Sequence, residues 1–206
     1  MKTLGLIGFG QFGRLAAQLL TPHFDVLATD AAPGAEAAVR EAGFAFGSLA
    51  EVAARDVVVV AVPVVAMQAV FGEIAPHLKP GALVADVGSV KMLPSRWMVE
   101  LLPAHVDLIA THPLFGPQSA KQGLKGLRFV ICPIRGDRHE RVAAFGRSLG
   151  LIVTVTTAEE HDREMAYVQA LTHLIGRIIN GILQRRTGIV VDGIRSVVGF
   201  AGLRQG

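Results

Sequence analysis

Short apolar runs alternate with stretches of helical composition along this chain, and this alternation restricts the fold more than any other feature of the sequence. Apolar runs occupy residues 3–8, 24–29, 56–62 and 82–86. Between them, Ala- and Glu-rich stretches of helical composition lie at 34–43, 48–54 and 63–76. The run at 56–62 holds five valines, as expected of a strand covered on both faces. Strands that alternate with helices form mostly parallel sheets, so the sequence predicts a doubly wound α/β fold.

The same rhythm continues to residue 155 and then changes. Further strands are predicted at 106–110, 129–132 and 151–155, with a helix over 137–149. From 159 to 186 the chain lacks proline and its apolar residues recur at helical spacing, which predicts one amphipathic helix of about seven turns. We therefore place a domain boundary between residues 157 and 158. Part of the apolar stripe of this helix is expected to pack on the final segment, on a partner chain, or on both.

Composition excludes several classes of protein. The chain has 206 residues, of which 51% are hydrophobic and 18% charged, a balance far from that of disordered chains. We find no run long enough to cross a membrane and no signal peptide, so we expect a cytoplasmic protein. The net charge is only +3, and the 20 Lys and Arg residues are spread along the chain without forming a basic cluster, which argues against nucleic-acid partners. A single cysteine, Cys132, allows neither an internal disulfide nor a multi-cysteine metal site, and we expect no metal.

The first predicted strand runs directly into the sequence GFGQFG, which consists of Gly8, Phe9, Gly10, Gln11, Phe12 and Gly13. Between a strand and a helix, Gly8 permits a tight turn, Gly10 lets a pyrophosphate approach the backbone, and Gly13 lets the helix pack closely on the sheet. The helix N-terminus offers N–H groups to the phosphates. The motif predicts a dinucleotide-binding Rossmann domain over residues 1–157, followed by a short helical region at 158–206.

Asp30 ends the second predicted strand and bears on the choice of cofactor. A carboxylate at this place accepts hydrogen bonds from the adenosine ribose and disfavours a 2′-phosphate, so we expect NAD rather than NADP. Val62 and Pro63 follow the valine-rich strand, and either line the cofactor site or simply end that strand. A glycine-rich turn that binds nothing is the alternative interpretation of the motif.

Polar segments follow three predicted elements at the edge where a doubly wound sheet binds its ligand. They are GSVK at 88–91, THPLFGP at 111–117 and EHD at 160–162. His112, followed by a loop rich in proline and glycine, is a candidate general base, with a capped loop histidine as the alternative. His161 and Asp162 are interpreted as capping the first turn of the long helix.

Four segments, GFGQFG, DVGSVK, THPLFGPQSAKQG and EEHDREMAYVQALTHLIGR, occur in this order and together resemble the prephenate and arogenate dehydrogenase family of tyrosine biosynthesis. The resemblance implies NAD(P)-dependent oxidation of the ring hydroxyl of prephenate or arogenate, with loss of the ring carboxylate as carbon dioxide. It implies His112 as the catalytic base or hydrogen-bond acceptor for that hydroxyl, and Ser89 as the residue that orients the hydroxyl and the histidine. It also implies that His173 lies near the substrate and the nicotinamide.

Because prephenate carries two carboxylates, a site for it needs cations. The candidates are Lys91, Lys121, Lys125 and Arg177, and a solvated surface position is the alternative for each lysine. Arg177 lies four residues after His173, on the same helix face, and Gln169 shares that face. We predict that Lys91, Gln169 and Arg177 contact the substrate.

The C-terminal part departs from the family, whose members usually continue well beyond this length and supply an arginine for a substrate carboxylate. Here we expect either Arg195, Arg204 or another chain to provide that charge, or a truncated or catalytically impaired protein. The long helix with little to cover it predicts a homodimer through residues 160–200.

Two alternative functions remain open: another small Rossmann reductase of the hydroxyacid or imine-reducing type, and a non-catalytic nucleotide-binding relative.

Overall fold

The computed structural model describes residues 2–187 of the chain. Residues 1 and 188–206, and the side chains of residues 169, 172, 173, 176 and 178–187, lie outside the described part. The strands are β1 (Thr3–Ile7), β2 (Asp25–Thr29), β3 (Ala45–Phe46), β4 (Val57–Val60), β5 (Leu83–Asp86), β6 (Asp107–Pro113), β7 (Arg128–Arg135) and β8 (Ile152–Val155). The helices are α1 (Gln11–Leu20), α2 (Ala35–Glu41), α3 (Leu49–Ala53), α4 (Val64–Ile74), α5 (Met92–Leu101), α6 (His139–Ser148) and α7 (Ala158–Thr187).

Within residues 2–187 the strands form one sheet in the order β3-β2-β1-β4-β5-β6-β7-β8. Neighbouring strands pair parallel, except that β6 and β7 pair antiparallel. The order reverses between β1 and β4, as in two half-sheets that wind outward from a common centre. This arrangement confirms the predicted mostly parallel, doubly wound α/β fold.

The sequence did not predict β3, α5 or the direction of β7. β3 has two residues, too few to show a periodic pattern. Pro94 made α5 hard to predict, because proline usually interrupts a helix. Here it lies in the first turn of α5, where backbone N–H groups have no partner within the helix and a proline is therefore tolerated. The segment between β6 and β7 contains the short 3-10 turn Ser119–Gln122 instead of a crossover helix, so β7 returns antiparallel beside β6.

The central strands are buried between helices, which explains their nearly continuous apolar composition. Val58 and Val60 of β4 are 0% exposed and belong to a cluster with Met67 and Phe71 of α4 and Met98 of α5. Burying side chains of this size contributes about 1.5–3 kcal/mol each relative to exposure. The core therefore fixes the positions of β1, β4, β5 and β6, on which the polar segments depend.

The strand register brings the polar segments to one edge of the sheet. Ile7 of β1 pairs with Val60 of β4, Val60 pairs with Asp86 of β5, and Asp86 pairs with Ala110 of β6. These strands run parallel, so the residues that follow each of them emerge at the same carboxyl edge. The glycine motif, the segment after Asp86 and His112 all lie at this edge, beside the point where the strand order reverses.

The chain divides into two compact units, Met1–His161 and Asp162–Gly206. Helix α7 starts in the first unit and extends over Ala158–Thr187, which confirms the predicted long helix. The boundary at residue 157 and the roles assigned to the two regions stay predictions. Of the helices in the described residues, none combines the length and the apolar character that crossing a bilayer requires.

Candidate functional site

The glycine motif forms the turn between β1 and α1. Gly8 has a φ of +99°, and a Cβ there would lie 2.6 Å from the Ala61 carbonyl oxygen. A Cβ on Gly13 would collide with the carbonyl oxygen of Gly8. Around Gly10, in contrast, a Cβ would meet no atom of the described chain within 4 Å. The motif thus combines two crowded glycines with one that leaves open space beside the start of α1.

Asp30 is held directly against this turn. Its Oδ2 accepts a hydrogen bond of 2.6 Å from the Phe9 backbone N–H, and its Oδ1 accepts one of 2.8 Å from Ala32. The Phe9 side chain is 5% exposed and packs edge-on against Phe44, with ring centroids 5.7 Å apart. Phe9 therefore belongs to the core through its ring and to the turn through its backbone. Gln11 is exposed at the first residue of α1, and Phe12 packs against Phe115.

A cleft of about 650 Å³ opens beside Asp30. Its lining includes Ala32, Gly34, Glu36, Arg40 and Phe46. Arg40 and Glu36 form an exposed ion pair of 2.9 Å at its rim. Asp30 itself lines this cleft at the end of β2.

Val62 and Pro63 lie where β4 ends, next to the glycine turn. The Ala61 N–H donates a hydrogen bond of 2.7 Å to the Ile7 carbonyl, which fastens this segment to the end of β1. Val62 packs against the core cluster of α4, and Pro63 is the exposed N-cap residue of that helix. Both proposed roles, lining a cofactor and ending the strand, agree with this position.

The segment after β5 is organised by a buried ion pair. The Lys91 ammonium donates hydrogen bonds of 2.5 Å to Asp86 Oδ2 and 2.6 Å to the Thr111 carbonyl oxygen. Both charged side chains are 0% exposed. Asp86 Oδ2 also accepts a hydrogen bond of 2.8 Å from Gly88 N–H. Burial raises the pKa of the Asp86 carboxyl above its ordinary value, although Lys91 and the Gly88 N–H act in the opposite direction.

This ion pair changes the interpretation of Lys91. We predicted that Lys91 binds a carboxylate of the substrate, but its ammonium lies inside the protein on Asp86 and Thr111. The arrangement does not support direct substrate binding. It instead links the end of β5 to the strand that carries His112.

His112 lies near the end of β6 and is 3% exposed. Its Nδ1 is 2.9 Å from Nε2 of His161, which is likewise 3% exposed and lies in the first turn of α7. The expected capping role of His161 is wrong, because the Thr157 hydroxyl accepts the N–H of Glu160 and thereby caps this turn. The second ring nitrogen of His112, Nε2, is the one that does not face His161.

For the other predicted site residues, the structure gives the degree of exposure or does not describe the side chain. Ser89 is partly buried in the segment after β5, and Lys121 and Lys125 are exposed in the loop between β6 and β7. Arg177 is exposed on α7. The side chains of Gln169 and His173, together with Arg195 and Arg204, lie outside the described residues.

Sequence reasoning missed Asp86 and misassigned His161. The one available signal for Asp86 was a carboxylate at the end of an otherwise apolar strand, five residues before a lysine. The one available signal for His161 was that a histidine stands at the start of the helix that follows the last strand.

A separate apolar cavity of about 310 Å³ lies between α1 and α6. Its lining includes Leu4, Leu20, Val59, Leu83 and Phe145. It includes Phe12 of the motif and the two neighbours of His112, Thr111 and Pro113, but not His112, Asp30 or the three glycines of the motif. The cavity is therefore not the candidate site.

The parallel sheet, the glycine turn and the carboxylate at the end of β2 define a nucleotide-binding domain of the Rossmann type. Residues 16–156 match the family described as prephenate dehydrogenase, nucleotide-binding domain. The chain belongs to this family.

Curated relatives carry names that agree with this family. The chain is 38% identical, over 124 residues, to a probable arogenate/prephenate dehydrogenase of Methanocaldococcus jannaschii, a match that covers 57% of this chain and 27% of the relative. It is 31% identical over 188 residues to the chloroplastic arogenate dehydrogenase 2 of Arabidopsis thaliana, covering 85% of this chain and 52% of the relative. The chain thus spans about a quarter to a half of the length of these relatives.

A solved structure has the same fold. The prephenate dehydrogenase of A. aeolicus, in complex with hydroxyphenyl propionate and NAD+, superimposes with a TM-score of 0.75 at 20% identity. The match covers 93% of this chain and 73% of that protein. At this identity the likeness establishes the fold of the chain.

The buried ion pair leads to a prediction about stability. Lys91→Met leaves the Asp86 carboxylate buried without its cation, so we expect it to lower the free energy of unfolding by roughly 3–5 kcal/mol in urea denaturation. Adding Asp86→Asn should restore at least about half of this loss, because the uncompensated charge is then removed.

The exposed pair of Lys79 and Asp56, 3.4 Å apart, is the matched control for this experiment. Lys79→Met should cost less than about 1 kcal/mol. Equal losses for the two lysine variants would mean that the buried pair has no special structural role.

Proposed function

We propose that this chain catalyses the NAD-dependent oxidative decarboxylation of prephenate or arogenate, a step of tyrosine biosynthesis. The observation that carries the proposal is the position of His112, buried at the same carboxyl edge of the sheet from which the glycine turn emerges, with Nδ1 directed at His161. Membership of the prephenate dehydrogenase family supports the choice of reaction.

In this proposal the Nε2 of His112 accepts the proton of the ring hydroxyl while the carbon that bears this hydroxyl loses a hydride. A bound NAD supplies the acceptor for that hydride. Withdrawing the hydroxyl proton makes the hydride easier to lose, and a positioned base of this kind contributes typically 10²–10⁴-fold to the rate. Ser89, in the segment that follows β5, is proposed to orient the same hydroxyl. Carbon dioxide then leaves, because the ring gains aromaticity.

The residues around the glycine turn fit a dinucleotide. The open space at Gly10 lies beside the N–H groups at the start of α1, which suits a pyrophosphate. Asp30 is directed by two backbone N–H groups to the end of β2, beside the 650 Å³ cleft, where it would accept hydrogen bonds from a ribose. We infer a preference for NAD over NADP because a 2′-phosphate would face this carboxylate.

The proposed partner of this chain is a second copy of itself. Helix α7 exposes Tyr167, Leu171, Leu174 and Ile175, which are 69%, 57%, 56% and 47% exposed. Apolar side chains that recur at helical spacing on an exposed helix favour association with another apolar face. This supports the predicted homodimer through residues 160–200, a range that extends beyond the described residues. The cytoplasmic location stays a prediction.

The reaction can be tested directly. The purified chain is expected to form NADH when supplied with NAD and either prephenate or arogenate, and His112→Asn should lower kcat by roughly 10²–10⁴-fold. NAD affinity, measured by calorimetry, should be unchanged in this variant. NAD binding without turnover of either substrate would reject the proposed activity of this chain and favour a nucleotide-binding role.

The cofactor preference predicts a second result. Asp30→Ala should weaken NAD binding by roughly tenfold, about 1.4 kcal/mol, while improving NADP relative to NAD. Asp25→Ala is the control, because Asp25 begins the same strand and is paired with Arg55. An unchanged ratio of the two affinities in the Asp30 variant would remove this residue from the proposed role.

The proposed dimer predicts a mass of two chains by light scattering at micromolar concentration. Leu171→Glu together with Leu174→Glu should give a monomer, because two charges would then face the partner. Val65→Glu, which alters a valine that is 92% exposed elsewhere, should leave the mass unchanged. A monomeric wild-type chain would contradict the proposal.

A further inference from the structure

We infer that His161 is a positioning residue, which holds the proton of His112 on Nδ1 and so leaves Nε2 to act as the base. The inference rests on the proposed function, since it names the residue that prepares His112 for its task. It assigns to His161 a role that differs from the capping suggested by its place in the sequence.

The contact between the two imidazoles carries this inference, and the direction of the hydrogen bond follows from the base role proposed for His112. The Nδ1 of His112 and the Nε2 of His161 are 2.9 Å apart, the distance of a hydrogen bond. Their ring centroids are 5.1 Å apart, and the ring planes meet at 67°. Both side chains are 3% exposed, so bulk water has little opportunity to replace either partner.

His161 is fixed by the segment that joins β8 to α7. Its own N–H donates a hydrogen bond of 3.0 Å to the Thr157 carbonyl, which also accepts a contact of 3.5 Å from the thiol of Cys132 on β7. The Thr156 N–H donates to the Ile131 carbonyl at 3.0 Å. Hence the start of α7 is tied to β7, the strand that pairs with the strand of His112.

His112 is fixed from the other side. Its neighbour Thr111 is held by the Lys91 ammonium through the carbonyl oxygen, and the Thr111 hydroxyl donates to the Asp86 carbonyl at 2.5 Å. Two separate sets of contacts therefore position the two rings. The backbone on each side therefore holds its own histidine in place, and the hydrogen bond joins two rings that are already positioned.

The position of the shared proton decides what His112 can do. If His112 donates from Nδ1 to His161, its Nε2 carries a lone pair and can accept the hydroxyl proton of a substrate. If His161 donates from Nε2 instead, the neutral His112 carries its proton on Nε2 and can only donate there. After His112 has taken up a proton, its Nδ1–H still donates to His161, so the hydrogen bond survives the reaction step.

Among the described residues, charged groups near the pair include members of two segments, the one that follows β5 and the first turn of α7. Lys91 and Asp86, joined to each other, lie behind Thr111 on the side of β5. Glu160 and Asp162 flank His161 in the sequence of α7, and Glu160 accepts a hydrogen bond from the Thr156 hydroxyl. The substitution His161→Glu would add one more carboxylate to these charged groups and place it next to Nδ1 of His112.

Three substitutions separate positioning from packing. Gln places an amide oxygen near the position of the imidazole Nε2 and can still accept the proton, whereas Leu fills the space without an acceptor. We expect His161→Leu to lower kcat by roughly 10²-fold with little change in KM or NAD affinity, and the kcat of His161→Gln to stay within about tenfold of the wild-type kcat.

His161→Glu should move the acidic limb of the pH profile of kcat/KM to higher pH by about one unit, because a carboxylate stabilises the protonated form of His112. His77→Gln, at an exposed histidine, is the control.

Equal losses of kcat in the Leu and Gln variants, or a Leu variant that keeps wild-type kcat, would overturn the inference. The proton can also be located without turnover, by long-range ¹H–¹⁵N correlation spectra of the whole chain with ¹⁵N-labelled histidine. We expect neutral His112 to carry its proton on Nδ1 in the wild-type protein. A proton on Nε2 would refute the role of His161, even if the Leu variant failed to fold.

The spectra also separate the two proposals. Absence of wild-type turnover with prephenate and arogenate would reject the proposed function while the spectra still decide the tautomer of His112. Turnover that His112→Asn abolishes, combined with the wrong tautomer, would keep the proposed function and reject the role of His161.

Discussion

The candidate site depends on the buried ion pair between Asp86 and Lys91. Removing two charges from water costs several kcal/mol for each ion, and the attraction between them offsets this cost only when the remaining donors and acceptors are satisfied. Here the Gly88 N–H satisfies Asp86 Oδ2 and the Thr111 carbonyl satisfies Lys91, whereas Asp86 Oδ1 is buried without a hydrogen-bond partner among the described residues. The pair consequently couples the segment of Ser89 to the strand of His112. Its structural effect is to hold two neighbouring strand ends in a fixed relation, which packing of apolar side chains alone would specify less narrowly.

Much of the fold could be predicted because its signals are local. The apolar runs that became β1, β2, β4 and β5, and the glycines between β1 and α1, each report a backbone preference within a few residues. The failures had equally local causes. A proline such as Pro94 usually indicates the end of a helix, and only the position at which α5 begins shows that this proline lies in a first turn, where it is tolerated. The direction of β7 depends on how the preceding loop returns to the sheet, which the composition of the loop does not reveal.

The candidate site could be predicted less completely, since its contacts join distant parts of the chain. Lys91 has the features of a cation available to a ligand until Asp86 and Thr111 are seen around its ammonium. His161 and His112 are 49 residues apart in sequence, and the local sequence around His161 favours a helix cap. The Asp30 side chain was easier to assign, because the distance from the glycine motif follows from the length of one strand, one helix and one turn.

The short length of β8 has a consequence for how such a chain can vary. β8 ends at Val155, which pairs with Ile131, and Ile131 lies opposite Thr111. The chain therefore leaves the sheet level with the residue before His112. A strand advances by about 3.3 Å per residue, so two further residues in β8 would carry the beginning of α7 about 7 Å away, far beyond hydrogen-bond reach. The length of β8 therefore sets the distance between the two histidines: an insertion there would separate His161 from His112 without changing the identity of any residue of the site.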